Sequence, residues 1–254
     1  LLGKIIVIAN QKGGVAKTTT AINLGAGLSI KGKRVLLVDI DPQGNATSGL
    51  GFNRLQLEHC IYDVLIDGMS LESVTLPTPR ENLYLVPATM QLAGAEIELV
   101  SAVAREKKLK RALETVRGSY DYVLVDCPPS LGLLTLNALT AADRLLIPIQ
   151  CEYYALEGLS QLMNTVKLVQ KHLNPQLELE GVVLTMFDAR TNLAIQVVDE
   201  VKEYFKDKVF HSIIPRNVRV SEAPSHGKSV IDYDPSSKGS ETYLELAEEV
   251  MAND

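Results

Sequence analysis

Ile5-Ile-Val-Ile-Ala9 runs directly into Asn10-Gln-Lys-Gly-Gly-Val-Ala-Lys-Thr-Thr-Thr20, and this junction decides the fold. Five apolar residues in a row suit a strand covered on both faces, as in a parallel sheet. Two adjacent glycines then permit a tight loop, and Lys17-Thr18-Thr19-Thr20 opens a segment of helical character. Strand, glycine loop and helix together make a setting for a polyphosphate. Loop N–H groups converge on the anion, and the positive end of the helix dipole favours it. Lys17 is long enough to reach the outer phosphates, and the Thr18 hydroxyl suits Mg²⁺. The plainer alternative is a Gly-Gly turn followed by a solvated lysine at a helix start.

Working outward, short apolar runs recur at Val35–Val38, Leu83–Val86, Tyr122–Val125, Leu145–Ile149, Val182–Leu184 and Ile213–Ile214. Between them lie stretches of helical periodicity. Leu156, Leu159, Met163, Val166 and Val169 form one stripe, and 131–142 and 193–205 read the same way. Alternating strands and helices predict an α/β protein: one doubly wound, mostly parallel sheet with helices on both faces. The stretch 41–79 is the least regular and reads as an elaboration of the same unit. The expectation is a single domain over 1–254.

Two further strand ends carry carboxylates. Val35-Leu-Leu-Val-Asp-Ile-Asp-Pro-Gln-Gly-Asn45 places Asp39 and Asp41 around the C-terminal end of a strand, where open α/β sheets bind their ligands. A carboxylate there can hold the Mg²⁺ shell or orient an attacking water, although Asp41-Pro42 also suits a plain turn. Asp121-Tyr-Val-Leu-Val-Asp126 ends a buried run on an acid, the arrangement of a Walker B strand facing Mg²⁺. Asp39, Thr18 and Asp126 are therefore the candidate metal residues. Cys127, which follows, has no histidine in a recognisable partner motif and reads as a small packed residue.

The segment Lys12-Gly13-Gly14-Val15-Ala16-Lys17-Thr18 resembles the deviant Walker A motif of the ParA/MinD family of P-loop ATPases. The family pattern has glycine where Ala16 stands; if that backbone must be left-handed, alanine costs about 1 kcal/mol. Asp41 matches the family's D-x-D-P-Q-G-N segment. Cys151–Leu159, Leu184–Asn192 and Ile214–Gly227 look like the chromosomal ParA subgroup called Soj. The resemblance covers nearly the whole chain. It implies ATP and Mg²⁺ as ligands, a homodimer when ATP is bound, binding of double-stranded DNA without sequence preference, and a ParB-type centromere-binding partner that stimulates hydrolysis.

Residue by residue, the resemblance gives Lys12 the role of reaching a partner's nucleotide, and Asp41 that of positioning water. Lys12, Lys17 and Asp41 are thus the candidate catalytic residues. Residues Lys12 to Thr19 form the candidate nucleotide loop: Lys12, Gly13, Gly14, Val15, Ala16, Lys17, Thr18 and Thr19. Pro215, Arg216 and Asn217 correspond to the segment that lines the adenine, and Arg190 and Arg219 to family arginines that contact DNA.

Composition sets limits on these readings. Of 254 residues, 46% are hydrophobic and 22% charged, which excludes a disordered chain. Net charge is −6, so DNA affinity needs a local basic patch rather than total charge. Residues 206–228 are locally basic. Arg105-Glu-Lys-Lys-Leu-Lys-Arg111 is a second basic run, read as a solvated helix face with Leu109 turned inward. Three cysteines without a CxxC pair fit a reducing compartment. With no signal peptide and no apolar stretch long enough to span a bilayer, the expected location is the cytoplasm, on the nucleoid. The chain opens on its first strand, so no N-terminal helix-turn-helix domain is expected.

A MinD-type division-site ATPase shares the phosphate loop but needs a basic amphipathic C-terminal helix to hold membrane. The acidic end Glu241–Asp254 argues against membrane. A nucleotide-gated switch with little hydrolysis is the other alternative, raised by Ala16.

Overall fold

The computed structural model describes residues 2–152, 156 and 158–253. Seven strands form one sheet: β1 (Lys4–Ile8), β2 (Val35–Asp39), β3 (Leu76–Pro77), β4 (Leu83–Val86), β5 (Tyr122–Asp126), β6 (Arg144–Gln150) and β7 (Glu178–Thr185). Their spatial order is β3-β4-β2-β5-β1-β6-β7. All neighbours are parallel except β3, which pairs antiparallel with β4 at the edge. The doubly wound α/β expectation therefore holds.

Alternation along each strand supplies a separate core on each face. Ile5, Val7, Leu36, Val38, Val123 and Val125 point into one cluster, sealed by helices Lys108–Val116, Leu133–Ala141, Leu159–His172 and Asn192–Phe205. Ile6, Ile8, Leu37, Leu124 and Val183 point into the other, beneath helices Lys17–Ile30 and Lys238–Ala252. Those two helices pack closely because Gly27 lacks a side chain: a Cβ there would lie 3.0 Å from the Ala247 methyl. Buried Tyr243, Leu246, Ala247 and Val250 form the inward stripe of the C-terminal helix.

Two elements differ from the sequence reading. Ile213–Ile214 is not a strand; this part of the chain touches β7 through single hydrogen bonds from the Phe210 and Ile214 N–H groups to the Val182 and Leu184 carbonyls, with isolated bridges of Val209 to Val182 and of Pro215 to Phe187 just beyond the strand. Apolar content there reflects Ile214 docking in the core, not ladder pairing. The irregular stretch 41–79 contains short helical turns and the two-residue strand β3, whose brevity and Pro77 suit an edge. Ile61, Val64, Leu65, Leu71 and Val74 enter the main core. Of the stretch Cys151–Leu159, residues 153–155 and 157 lie outside the described residues.

Leu246→Ala removes a fully buried side chain between the two packed helices. The expected loss is roughly 2–5 kcal/mol of unfolding free energy, read from urea denaturation.

Candidate functional site

The strands β1, β2 and β5 end level with one another. Ile8 and Asp39 both stand in register with Asp126, so the phosphate loop and two carboxylates emerge from adjacent strand ends. This is the carboxyl edge of the sheet, beside the first crossover helix, where the open α/β fold leaves a crevice.

The loop is held from several sides. Asn10 donates from Nδ2 to the Pro148 carbonyl at 2.8 Å and accepts the Lys12 N–H on Oδ1 at 3.0 Å. Thr185, at the end of β7, donates its hydroxyl to the Val15 carbonyl at 3.1 Å. Gly13 and Gly14 are exposed, and a Cβ on Gly14 would meet open space. Gly14 has φ +73°, the left-handed conformation that suits glycine.

Ala16 adopts φ 66° and ψ 32° at the N-cap of helix Lys17–Ile30. The left-handed backbone considered for this position is therefore present, and alanine carries its strain. The turn aims the first N–H groups of the helix into the loop, and no side chain caps them.

Lys17 is buried, and its ammonium donates to the Lys12 carbonyl at 2.9 Å. Burial pushes its pKa below the ordinary lysine range, against the attraction of Asp126, Cys127 and Asp41. Lys12 is half-buried, and its ammonium has no partner among the described residues. One lysine is thus fixed within the loop and the other is available.

Thr18 donates its hydroxyl to Asp126 Oδ2 at 2.7 Å. The other carboxylate oxygen, Asp126 Oδ1, is buried without a hydrogen-bond partner. Burial, then the charge of Asp39, holds the Asp126 pKa well above the ordinary carboxylate value. An unpaired buried oxygen next to a threonine hydroxyl fits a hydrated Mg²⁺. Among the described residues no group of three or more His, Cys, Asp or Glu side chains could hold a metal.

Asp39 is engaged differently from Asp126. Its Oδ2 accepts from both the N–H and hydroxyl of Thr47, at 2.9 and 2.7 Å, and its Oδ1 accepts from the Asp41 N–H. Thr47 Oγ1 in turn accepts the Ala88 N–H. Asp39 thereby joins β2 to the helix Asn45–Gly49 and to the chain after β4. Burial raises its pKa to about 6 against these hydrogen bonds. Asp41 is buried beside it, with Oδ1 accepting the Gln43 N–H.

The segment 215–217 reaches the same edge from β7. Arg216 N–H donates to the Phe187 carbonyl, two residues beyond Thr185. The Asn217 side chain accepts the Arg219 N–H at 2.8 Å and caps the helix Val218–Glu222. Thr19 is half-buried in the first helical turn.

Arg190 and Arg219 lie on the surface. Arg190, with an 87% exposed side chain, forms a two-pronged pair with Asp188 and holds that carboxyl below its usual range. Arg219 pairs with Glu222 at 3.0 Å and Asp234 at 3.3 Å. Cys127 is fully buried, and burial pushes its thiol pKa far up, so it is inert packing.

The AAA domain family matches residues 3–179. The sporulation initiation inhibitor protein Soj of Bacillus subtilis is 67% identical over 252 residues, covering 99% of this chain and 100% of its own length. The chain belongs to the ParA/Soj family of chromosome-partitioning ATPases. A second member, the chromosome-partitioning ATPase Soj of Treponema pallidum, is 53% identical over 100% of this chain and 99% of its own. Among solved structures, cobyrinic acid a,c-diamide synthase from Mycobacterium smegmatis with bound ADP and magnesium superposes with a TM-score of 0.86. It shares 40% identity, over 97% of this chain and 93% of that one.

Three residues around the ParA/Soj loop escaped the sequence reading as functional: Asn10, Thr47 and Thr185. Asn10 stood inside the quoted motif. Thr47 and Thr185 carry no local signal, because each acts on a segment distant in sequence.

Ala16→Gly relieves the left-handed strain at the helix start. Unfolding free energy is expected to rise by about 1 kcal/mol, measured by chemical denaturation.

Proposed function

We propose that this chain is an ATP-dependent dimerising ATPase that binds DNA without sequence preference and serves chromosome partitioning, with hydrolysis stimulated by a ParB-type partner. The observation that carries the nucleotide reading is the Thr18–Asp126 contact beside an unpaired buried carboxylate oxygen. The remainder draws on the likeness to Soj and ParA proteins.

In this reading the nucleotide phosphates lie against Gly13, Gly14, Val15 and Ala16. Their N–H groups and the helix N-terminus supply preorganised positive potential. Lys17 exchanges the Lys12 carbonyl for phosphate oxygens. Its buried ammonium makes that contact stronger than it would be in water. Thr18 and Asp126 would hold Mg²⁺, which when bound would supply charge neutralisation of the phosphates. Asp39 keeps Thr47 and the Asp41 backbone in place, which leaves Asp41 to orient the attacking water. Lys12, the unpartnered lysine, completes the site of a second copy. Pro215, Arg216 and Asn217 border the base.

DNA affinity arises where Arg190 and Arg219 give up or share their carboxylate partners for phosphates. Two copies in one dimer double the number of contacts, which is how ATP gates binding. The partnered state of both arginines implies weak affinity per copy. A membrane-bound MinD-type role is disfavoured, because the apolar stripe of the C-terminal helix is already buried against helix Lys17–Ile30. Among the described residues no helix is long and apolar enough to cross a membrane.

One observation favours a second reading, a nucleotide-gated switch with little hydrolysis: the strained Ala16 directly before Lys17. Phosphate release measured with DNA and partner present separates the two. Retained ATP binding with no turnover selects the switch.

Lys12→Ala is expected to retain ATP binding and lose ATP-dependent dimers in sedimentation velocity; normal dimers would remove Lys12 from the interface. Arg219→Glu is expected to keep dimers while lowering DNA affinity at least about tenfold at low salt. Unchanged affinity across a salt titration would refute that placement.

A further inference from the structure

The helix Leu92–Glu98, prolonged by the turn Leu99–Ser101, is apolar on two sides. Leu92, Ala95 and Leu99 face the core and are fully buried. Met90, Ala93, Ile97 and Val100 follow one another at spacings of three, four and three, and all four are exposed. That is a second helical stripe on the solvent side. Ile97 is 77% exposed, Val100 59%, and Val103 beyond them 88%. At its other end the stripe meets a groove of ≈ 610 Å³ lined by Phe52, Leu55, Leu57 and Met90. Isolated exposed apolar residues need no explanation, but a periodic stripe joined to a groove marks a contact surface.

The stripe runs into the basic segment 105–111. Arg105 donates from Nη1 to the Val100 carbonyl at 2.7 Å and fastens that segment to the end of the stripe. In helix Lys108–Val116, Leu109 and Leu113 point inward. The helical repeat turns Arg111 to the opposite side and sets half-buried Lys108 and Lys110 on the two flanks, while Lys107, in the turn before the helix, is exposed. None of these four cations has an ion pair among the described residues, in contrast to Arg190, Arg216 and Arg219.

We propose that these adjoining patches dock an amphipathic helix of another protein, with its apolar face on the Met90–Val103 stripe and acidic side chains over Lys107–Arg111. The stripe from Met90 to Val100 spans about 15 Å, and the cations follow beyond the break in the helix at extended Ala102 and left-handed Ala104. Charge complementarity selects the occupant. A second copy of this chain is a poorer match. Parallel pairing would set the four cations against themselves. Antiparallel pairing would lay them over a groove that offers Glu58 beside Arg54, with no net negative charge. Duplex DNA would use the cations and leave the apolar stripe in water.

The surface is also tied to the chain that follows Asp126. Asn137 accepts the Leu109 N–H and donates to the Arg105 carbonyl, at 3.1 and 2.8 Å. Glu96 sits against Gly132, where a Cβ would collide with its carboxylate. The docking platform is therefore held by the same segment, 128–141, that leaves the end of β5.

The test uses the full chain and a labelled synthetic helix of about 21 residues, with leucine at the first and fourth heptad positions and glutamate in the last heptad. A control peptide carries lysine in place of glutamate. Fluorescence anisotropy is expected to show salt-sensitive binding of the acidic peptide and at least tenfold weaker binding of the control. Ile97→Ser with Val100→Ser, and separately Lys107→Glu with Lys108→Glu and Arg111→Glu, should each weaken the acidic peptide about tenfold or more at an unchanged thermal midpoint. Ile97, Val100, Lys107 and Arg111 are exposed and Lys108 is half-buried, so the fold is expected to survive. Equal affinity for both peptides, or unchanged affinity in either variant, overturns the proposal. So does charge reversal that lowers duplex-DNA affinity while sparing the peptide, or concentration-dependent self-association abolished by Ile97→Ser.

Discussion

The hydrogen bond from Thr18 to Asp126 joins the start of the first helix to the end of the central strand β5, and the site is assembled around it. It is possible only because β1 and β5 are parallel neighbours in register, so that their carboxyl ends lie side by side. Parallel pairing in turn requires crossover helices, which cover both faces and leave the edge of the sheet open. The crevice, the loop and the carboxylates thus follow from a single topological constraint.

That edge is electrostatically tense. Asp39 and Asp126 stand on adjacent strand ends, both fully buried, and each is shifted toward its neutral form. Lys17 is shifted the same way. Their hydrogen-bonding differs: Asp39 is satisfied by Thr47 and the Asp41 backbone, whereas Asp126 keeps an unpaired oxygen. Two acids of similar burial therefore have separate work. One fixes the local backbone, and the other is left to meet a counter-charge. Lysine loops and buried acids of this kind cost stability when unpaired, and a bound magnesium nucleotide would return it.

Surface charge follows a different logic. The arginines of the 188–234 region come with carboxylate partners that hold them in fixed orientations. Among the described residues the cations of 107–111 have none, and they adjoin exposed apolar side chains. Regions with similar basic composition thus present distinct chemistry: oriented forks on one side, and on the other cations beside an apolar stripe with no ion pair among the described residues. Net charge alone distinguishes neither.

Much was legible in the linear chain wherever function is local. The phosphate loop, the acids at strand ends and the inward turn of Leu109 each lie within a few residues of the pattern that announces them, because strand and helix periods are short. Family likeness could be recognised for the same reason, since the motifs are contiguous. Tertiary structure alone decided the rest. Asp39 meets Thr47 only when the chain folds back, Thr185 reaches Val15 across the sheet, and Ile213–Ile214 docks without joining the ladder. The exposure of Ile97, Val100 and Val103 could not be read in advance either, since an apolar helix with two stripes gives the same pattern whether or not its second face is covered. Periodicity says which residues share a side; only packing says what stands opposite.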